Sequence, residues 1–345
     1  MLKHSLLILC LSFLCACSDI AYYSQAMGGQ WDIFRRSQPI DKVLADSKTP
    51  TPLKQQLRNI LKMRAFASDE LHLPDNRSYT YYADLERPFV VWSVFATPPF
   101  SFTPKQWCFL IVGCISYRGY FSETAAETLA SSLRAQGNDV YIAGIPAYST
   151  LGWFDDPIFN TLLKWHQYQI AGLIFHELAH QKLYIANDTA FNEAFAMTVE
   201  YVGIERWLAR HGTPDDRYEY QQARQRQIEF VELVLSTRND LEHIYQQNLP
   251  IEKKQIAKVA AYETLRTQYQ QLKTRWGGYT GYDAWFAKDL NNAKLLSIVT
   301  YQDLVPAFRN LFEQVGGDLQ AFYQAAKQLE EELSIEERHA KLRDM

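Results

Sequence analysis

Apolar and polar positions follow both strand and helix periodicities in the first part of the chain, and almost only helix periodicity in the later part. Residues 40–72 and 123–135 have apolar side chains at helical intervals, whereas aromatic and β-branched runs at 89–96, 107–115 and 140–145 indicate strands. Later segments are mostly helical in pattern and are separated by short turns containing Gly, Pro or Asn. This order predicts a helix-dominated α+β fold, with a small sheet and a long helical C-terminal part.

The most informative stretch, residues 170–202, holds two helical patterns separated by a polar break. The first pattern is apolar on nearly every face except at His176, Glu177 and His180. A helix that is apolar nearly all round is buried, and buried imidazoles and carboxylates need partners. Since His176 and His180 are four residues apart, they project from one face and can bind one metal ion. This His-Glu-x-x-His arrangement predicts a zinc site in which Glu177 takes a proton from the zinc-bound water.

A zinc ion held by two imidazoles needs a third protein ligand and an open position for water. Residues 186–189 are polar and suit a turn and a helix cap, after which the second helical pattern begins. A short connection makes the two helices antiparallel, so Glu193 can lie opposite His180. Glu200 follows about two turns later on the same face, and on geometry alone either carboxylate is a candidate ligand.

The motif at residues 176–180, followed by Asn-Glu-Ala-Phe-Ala at 192–196, resembles the active site of the glutamate-zincin metallopeptidases. In those enzymes the third zinc ligand is a Glu on the second helix, which implies Glu193 here. Two features differ from the thermolysin-like branch. The 12 residues between His180 and Glu193 are fewer than in that branch, and Met197 stands where it has an orienting Asp.

The first residues have the order of a bacterial signal peptide. A short basic start is followed by the apolar residues 5–15, which are too few to span a hydrocarbon core of about 30 Å. The sequence Leu-Cys-Ala-Cys ending at Cys17 resembles a lipobox, which implies that residues 1–16 are removed and that Cys17 carries lipid. Ser18 resembles the sorting pattern of Gram-negative outer-membrane lipoproteins, so an outer-membrane anchor facing the periplasm is predicted. A plain secretory signal is the alternative.

Two cysteines remain beyond this segment, Cys108 and Cys114. An oxidising periplasm permits a disulfide between them, and two buried thiols are the alternative. On one continuous strand their Cα atoms would be too far apart, so a disulfide requires the chain to bend.

The composition narrows the partners and the domain count. A net charge of −4 excludes a general nucleic-acid or anionic-membrane surface. The later segments contain no pattern long and apolar enough for a transmembrane helix. Because repeats and flexible linkers are absent from the sequence, residues 17–345 are predicted to form a single domain.

The resemblance extends beyond the zinc motif to a family of bacterial predicted aminopeptidases, which are lipoproteins with this motif. Residues 113–121, 147–157, 290–293 and 301–308 are all similar to that family, so it covers essentially the whole mature chain. By analogy with zincins, a segment before the active-site helix forms an edge that pairs with an extended peptide. The residues implied to bind substrate are Ala147, Tyr148, Ser149, Thr150, Tyr117 and Arg118.

Three functions are compatible with these features. The first is a zinc peptidase with one Zn²⁺ per chain, most plausibly an aminopeptidase, in which the metal activates water and Glu177 is the general base. The second is a zinc amide hydrolase or endopeptidase acting on cell-envelope peptides. The third is a non-catalytic zinc-binding lipoprotein, although structural zinc sites usually use four protein ligands that include Cys. Peptide substrate and, through the lipid, a membrane are the predicted partners; nucleic acid is not.

Overall fold

The computed structural model describes residues 22–109, 113–299 and 304–344. The predicted signal peptide 1–16 and Cys17 lie outside the described residues. The helices are α1 (22–36), α2 (Ile40–Ala45), α3 (Thr51–Asp69), α4 (Glu123–Ala135), α5 (Gln167–Lys182), α6 (Thr189–His211), α7 (Pro214–Gln246), α8 (Ile251–Arg275), α9 (Asp283–Ala287), α10 (Asn292–Val299), α11 (Val305–Gln314), α12 (Leu319–Glu332) and α13 (Ile335–Arg343). The strands are β1 (Gln38–Pro39), β2 (Tyr81–Ala83), β3 (Val91–Thr97), β4 (Trp107–Phe109), β5 (Gly113–Ile115), β6 (Arg118–Tyr120), β7 (Asp139–Ile145) and β8 (Ile158–Phe159).

Within the described residues the strands form small sheets, and the fold is the helix-dominated α+β fold that the sequence predicts. The largest pairing joins β3 antiparallel to β6 on one side and to β7 on the other, and β3 is buried along its whole length. A second sheet has the order β1-β2-β8, and β4 pairs with β5. Helix α4 packs on β3 through a cluster that includes Ala126, Leu133 and Val94.

Two segments that the sequence predicts as single continuous elements are each divided into two elements in the structure. The apolar pattern over 40–72 is two helices, α2 and α3, with residues 46–50 between them. Pro50 explains the interruption, since Thr49 before it is disfavoured in helical conformation, whereas Pro52 lies in the first turn of α3, where proline is tolerated. The predicted strand over 107–115 is the antiparallel pair β4–β5.

The β4–β5 pair accounts for the two cysteines. Cys108 lies directly opposite Cys114, and the two are joined by a disulfide. The chain therefore reverses direction between them, as the sequence argument required for a bond across this spacing.

Helices α5 and α6 lie at the centre of the largest hydrophobic cluster. Phe175 on α5 and Phe195 on α6 are fully buried, and α3, α11 and α12 pack around them. The Phe195 ring stacks on Phe322 of α12 with centroids 5.5 Å apart, and Phe191 meets Phe308 of α11 edge-on at 4.8 Å. Aromatic packing on their outer faces thus fixes the position of α5 relative to α6.

Helix α13 ties the C-terminal part to the start of α6. Asp188 caps α6 by accepting a hydrogen bond from the Phe191 backbone N–H. The same carboxylate lies 3.0 Å from Arg338 Nε and 2.8 Å from His339 Nε2, and both Asp188 and Arg338 are buried. Removing one partner of a buried ion pair leaves an uncompensated charge, so α13 helps to hold the first turn of α6 in place.

A second cluster joins α7, α8 and α9 and is fastened to the main sheet. Lys258 of α8 donates to Asp139 Oδ2 of β7 at 2.6 Å and to the Pro99 carbonyl at 2.8 Å. The buried Asn292 accepts hydrogen bonds from the hydroxyls of Tyr245 and Tyr262. These polar contacts fasten α7, α8 and α10 to one another and to β7. Across residues 22–109, 113–299 and 304–344, no helix combines the length and apolarity needed to span a bilayer.

Candidate metal centre

Three side chains of α5 and α6 converge on one point, namely His176, His180 and Glu193. Their ligand atoms all lie within 4.8 Å of one another. The two Nε2 atoms are 3.1 Å apart, Glu193 Oε2 is 3.4 Å from His176 Nε2, and Glu193 Oε1 is 3.7 Å from His180 Nε2. The structure thus brings together the three residues that the sequence motif and its resemblance singled out.

The spacing of these atoms fits a tetrahedral metal ion. With bonds of about 2.0–2.1 Å, neighbouring ligands of tetrahedral zinc are about 3.3–3.4 Å apart. The two Nε2 atoms are 3.1 Å apart, and each lies 3.4 or 3.7 Å from the nearer oxygen of Glu193, which is Oε2 for His176 and Oε1 for His180. These separations are close to that value. Two imidazoles and one carboxylate leave a fourth position for water, which is the donor set of catalytic zinc sites.

Glu200 occupies the position behind the first imidazole. Its Oε2 accepts a hydrogen bond from His176 Nδ1 at 3.0 Å. Since an ionised carboxylate only accepts, this contact assigns the proton to Nδ1 and leaves the Nε2 lone pair directed at the metal position. A carboxylate behind a metal-binding histidine orients the ring and raises its basicity. Of the two carboxylates that spacing alone left open, Glu193 lies with the two Nε2 atoms and Glu200 lies behind His176, an arrangement that favours Glu193 as the ligand.

Two glycines explain how α5 and α6 approach closely enough for these contacts. A Cβ on Gly172 would come within 2.7 Å of Ile204 Cδ1 and 3.2 Å of Glu200 Oε1. A Cβ on Gly203 would come within 2.5 Å of the Phe175 ring. Distances below 3.0 Å force a shift, so larger residues here would separate the helices and withdraw Glu200 from His176.

The loop between the helices is fixed by Asn192, which is buried at the start of α6. Its side chain accepts from the Ile185 N–H at 2.8 Å and donates to the Ile185 carbonyl at 2.7 Å. Both backbone groups of one loop residue are thereby satisfied by the residue next to Glu193. The predicted polar turn at 186–189 is confirmed as the connection that ends in the Asp188 cap.

Glu177 lies beside the centre and is surrounded by polar groups from the 149–156 loop. The Ser149 hydroxyl donates to Asp156 Oδ2 at 3.2 Å and lies close enough to the Glu177 carboxylate to lower its pKa. Burial, together with the charge of Glu193, raises the pKa of Glu177 to about 7 although His176 opposes the shift. A carboxylate with such a pKa can both accept and return a proton near neutral pH. A dication bound beside it would lower the value.

The histidines differ in their protonation. Burial and the neighbouring His176 lower the pKa of His180 to about 4. The pKa of His176 is raised well above its usual value, because hydrogen bonds to Glu193 and Glu200 outweigh the effect of burial. A neutral His180 is in the form that binds a metal, and a cation at the centre would take the place of the proton on His176.

The segment Ala147–Thr150 is a loop and not a strand, which corrects the expectation of a substrate-pairing edge there. Strand β7 ends at Ile145, and the following residues curl around the buried Asp156. Thr150 donates to that carboxylate from its backbone N–H and from its hydroxyl, the latter at 2.8 Å. The Thr150 end of the segment cannot pair with an extended peptide, because its backbone N–H is bonded to Asp156 and its carbonyl accepts from the Trp153 N–H.

The other predicted substrate residues divide into two groups. Tyr117 lies near the centre, since burial and the charges of Glu193 and Glu177 raise its pKa to about 12. The Tyr148 ring packs edge-on against Phe121, with centroids 5.6 Å apart, and Ala147 packs against the main cluster. Arg118 instead places its guanidinium 4.1 Å from the Tyr22 ring centroid of α1. The structure therefore brings Tyr117 and Ser149 to the centre and turns Arg118 toward α1.

A cavity of about 910 Å³ opens beside the centre between α5, α6, α7 and residues 279–298. His176, Glu177 and Glu200 are among its lining residues. Its other walls include Arg224 and Arg226 of α7. The sequence patterns did not single out these arginines, because an Arg on a long amphipathic helix has the same local signature as a solvated one.

Comparison with known proteins finds one family. The sequence model of the family described as "Putative aminopeptidase" matches residues 21–342. Searches of curated proteins and of solved structures return no match.

Proposed function

The chain belongs to the family described as "Putative aminopeptidase", and from that membership and the geometry of the centre we propose that it is a zinc-dependent aminopeptidase with a zincin-like arrangement of helices. The observation that supports this most is the tetrahedral spacing of His176, His180 and Glu193, with Glu177 beside them. Bound zinc would polarise the scissile carbonyl and lower the pKa of a water molecule to about 7.

The roles of the protein groups follow from their positions. Glu177 accepts a proton from the attacking water as the water oxygen bonds to the carbonyl carbon, and delivers that proton to the leaving nitrogen when the C–N bond breaks. Glu200 orients His176, and its other oxygen, Oε1, has no hydrogen-bond partner in the described part of the chain while the residue lines the cavity. We assign Oε1 to the free amine of the substrate.

Three acidic residues are candidates to bind that amine, namely Asp155, Asp156 and Glu200. Asp155 is 2.7 Å from Arg77, and Asp156 is buried and used by Thr150. Glu200 alone among the three combines a free oxygen with a place in the cavity wall. The aminopeptidase mode is therefore proposed through Glu200.

The free amine is the first property to test. We expect the purified chain to contain about one zinc per molecule and to cleave a peptide with a free N-terminus about 10- to 100-fold faster than its N-acetylated form, because a charge-assisted hydrogen bond to Glu200 is lost on acetylation. Metal analysis and kcat/KM for the two peptides provide the measurement. Equal cleavage of both peptides would leave an endopeptidase, and absence of cleavage with zinc bound would leave a binding protein.

Tyr117 is proposed as the donor that stabilises the negative charge developing on the carbonyl oxygen. Its hydroxyl stays protonated near neutral pH, since burial and two carboxylates raise its pKa to about 12. Tyr117→Phe is expected to lower kcat by about 10²–10³-fold with little change in KM or zinc content, as is typical when one such donor is removed. Tyr141→Phe, which removes another partly buried hydroxyl in β7, is the matched control. A reduction confined to KM would assign Tyr117 to ground-state binding instead.

We also propose that lipid on Cys17 holds the chain at the periplasmic face of an outer membrane. Support comes from an exposed stripe on one face of α1, where Met27 is 74% exposed and Trp31 is 70% exposed. Tyr23 and Phe34 continue this stripe, and Trp153, 75% exposed, adjoins Phe154, whose ring is 4.9 Å from that of Phe34. Contiguous apolar surface of this kind marks an interaction site, and Trp and Tyr favour the membrane interface.

The position of Cys17 relative to the stripe agrees with this arrangement. Residue 22 is five positions after Cys17, and an extended chain spans at most about 3.5 Å per residue. A lipid on Cys17 would therefore keep the first residue of α1 within about 18 Å of the bilayer surface.

The Cys17→Ser change tests the anchor. We expect the full chain to incorporate labelled fatty acid and to sediment with membranes, and Cys17→Ser to lose the label, because the thiol is the acceptor for the lipid. Cys10→Ser, inside the predicted signal peptide, is the control that should retain the label. Persistence of an unprocessed, membrane-bound chain in Cys17→Ser would mean that the segment is an uncleaved anchor.

A further inference from the structure

The wall of the cavity opposite α5 carries two arginines that have no acidic partner. Arg224 Nη1 donates to the Tyr201 hydroxyl at 2.8 Å and to Gln227 Oε1 at 3.2 Å, and its guanidinium lies 3.6 Å from the Tyr201 ring centroid. Its Nε and Nη2 groups have no partner in residues 22–109, 113–299 and 304–344. Arg224 is therefore held rigidly by one edge, with the other edge unused.

Arg226 makes fewer polar contacts than Arg224. Its guanidinium lies 4.4 Å from the Tyr279 ring centroid, and its Nε is buried without a hydrogen-bond partner. Neither arginine lies within 4.0 Å of a carboxylate in the described part of the chain. The buried Arg338, by contrast, does have a carboxylate partner, since it is 3.0 Å from Asp188.

The surroundings of the two arginines resemble a binding site more than a solvated helix face. Both line the same cavity as His176 and Glu177, and the wall between them is rich in tyrosine. Guanidinium groups stacked on aromatic rings are pre-organised, so they lose little side-chain entropy when they bind an anion. A planar fork of N–H donors matches a carboxylate, and its pairing is strongest in a partly desolvated cavity.

From these contacts we infer that the cavity binds a carboxylate of the substrate through Arg224 and Arg226. The inference rests on the proposed peptidase function and names its substrate class, which is peptides that carry a negative charge close to the cleaved bond. The carboxylate has two sources, the acidic side chain of the N-terminal residue or the terminal carboxylate of a short peptide. Both sources present the same planar group to the same pair of guanidinium groups.

Two peptide pairs separate the sources. The first compares Glu-Ala-Ala-amide with Gln-Ala-Ala-amide, and the second compares Ala-Ala-Ala as free acid with its amide. We expect kcat/KM to favour the carboxylate about 10- to 100-fold in at least one pair, as for a charge-assisted hydrogen bond. In the double variant Arg224→Gln with Arg226→Gln this ratio should fall to near 1. Arg134→Gln, on the exposed face of α4, should leave the ratio unchanged.

The carboxylate preference can also be measured without cleavage of these peptides. Calorimetric titration of the same four peptides into zinc-loaded Glu177→Gln protein, with and without the two Arg substitutions, measures the carboxylate preference directly. A preference in binding with no cleavage by the unmodified chain would support the inference and contradict the peptidase function. A ratio near 1 in both pairs, or a ratio that survives the double substitution, would overturn the inference, since a merely structural role of Arg224 on Tyr201 predicts no dependence on substrate charge.

Discussion

Glu177→Gln is expected to keep zinc bound and to reduce peptide hydrolysis by at least about 10²–10⁴-fold. Glutamine has the shape of Glu and can hydrogen-bond to Ser149, but it cannot accept a proton from the attacking water. The loss should reach or exceed the upper end of that range, because the same carboxylate also returns the proton to the leaving amine. Zinc affinity depends on His176, His180 and Glu193, so metal content should change little.

Parallel measurements of zinc content and kcat distinguish this role from a structural one. Glu127→Gln removes an exposed carboxylate of α4 and should change neither quantity. If Glu177→Gln retained more than about a tenth of the activity, another group would have to be the general base. If the variant lost its zinc, Glu177 would belong to the metal-binding residues instead.

Glu193→Ala is expected to abolish stable zinc binding and, with it, activity. This carboxylate is the third group at the centre, 3.4 Å and 3.7 Å from the two Nε2 atoms, and alanine leaves only two ligands. Glu200→Ala should lower zinc affinity by only about 10- to 100-fold, the usual effect of removing the group that orients a ligand. Competition with a chelator measures both affinities on one scale.

The comparison of the two variants tests which carboxylate binds zinc and which one orients His176. Glu193→Gln provides a further check, because it preserves volume and packing on α6 while it removes the negative charge. Full zinc in Glu193→Ala together with loss of zinc in Glu200→Ala would reverse the assignment and make Glu200 the ligand.

The chemistry of the centre depends on the relative position of α5 and α6, and only part of that position follows from the local sequence. The shared face of His176 and His180 follows from their spacing on one helix, and the turn before α6 follows from its polar residues. The position of Glu200 behind His176 depends on how closely α5 approaches α6, which Gly172 permits. The sequence pattern of either helix by itself does not indicate how closely α5 and α6 approach each other.

Loops are where the sequence reasoning was least accurate. Residues 147–150 follow a strand and were expected to continue as a peptide-pairing edge, yet Asp156 folds them back through hydrogen bonds to Thr150 and Ser149. The carboxylate is six residues from Thr150, beyond the range of strand or helix periodicity. A short polar side chain that takes over backbone donors can override strand propensity, and this is seen only once the loop is built.

By itself, the sequence determined the helix-dominated class and the shared face of His176 and His180, and both follow from helical periodicity. The resemblance implied Glu193 as the third ligand. The disulfide between Cys108 and Cys114 was one of two possibilities until the β4–β5 pairing placed the two residues opposite each other. Tertiary structure alone decided that Glu200 supports His176 and that Arg224 and Arg226 face the cavity of the centre. The rotation of one helix about its axis against another is set by side-chain packing between segments distant in sequence, and for that reason no local pattern could assign these roles.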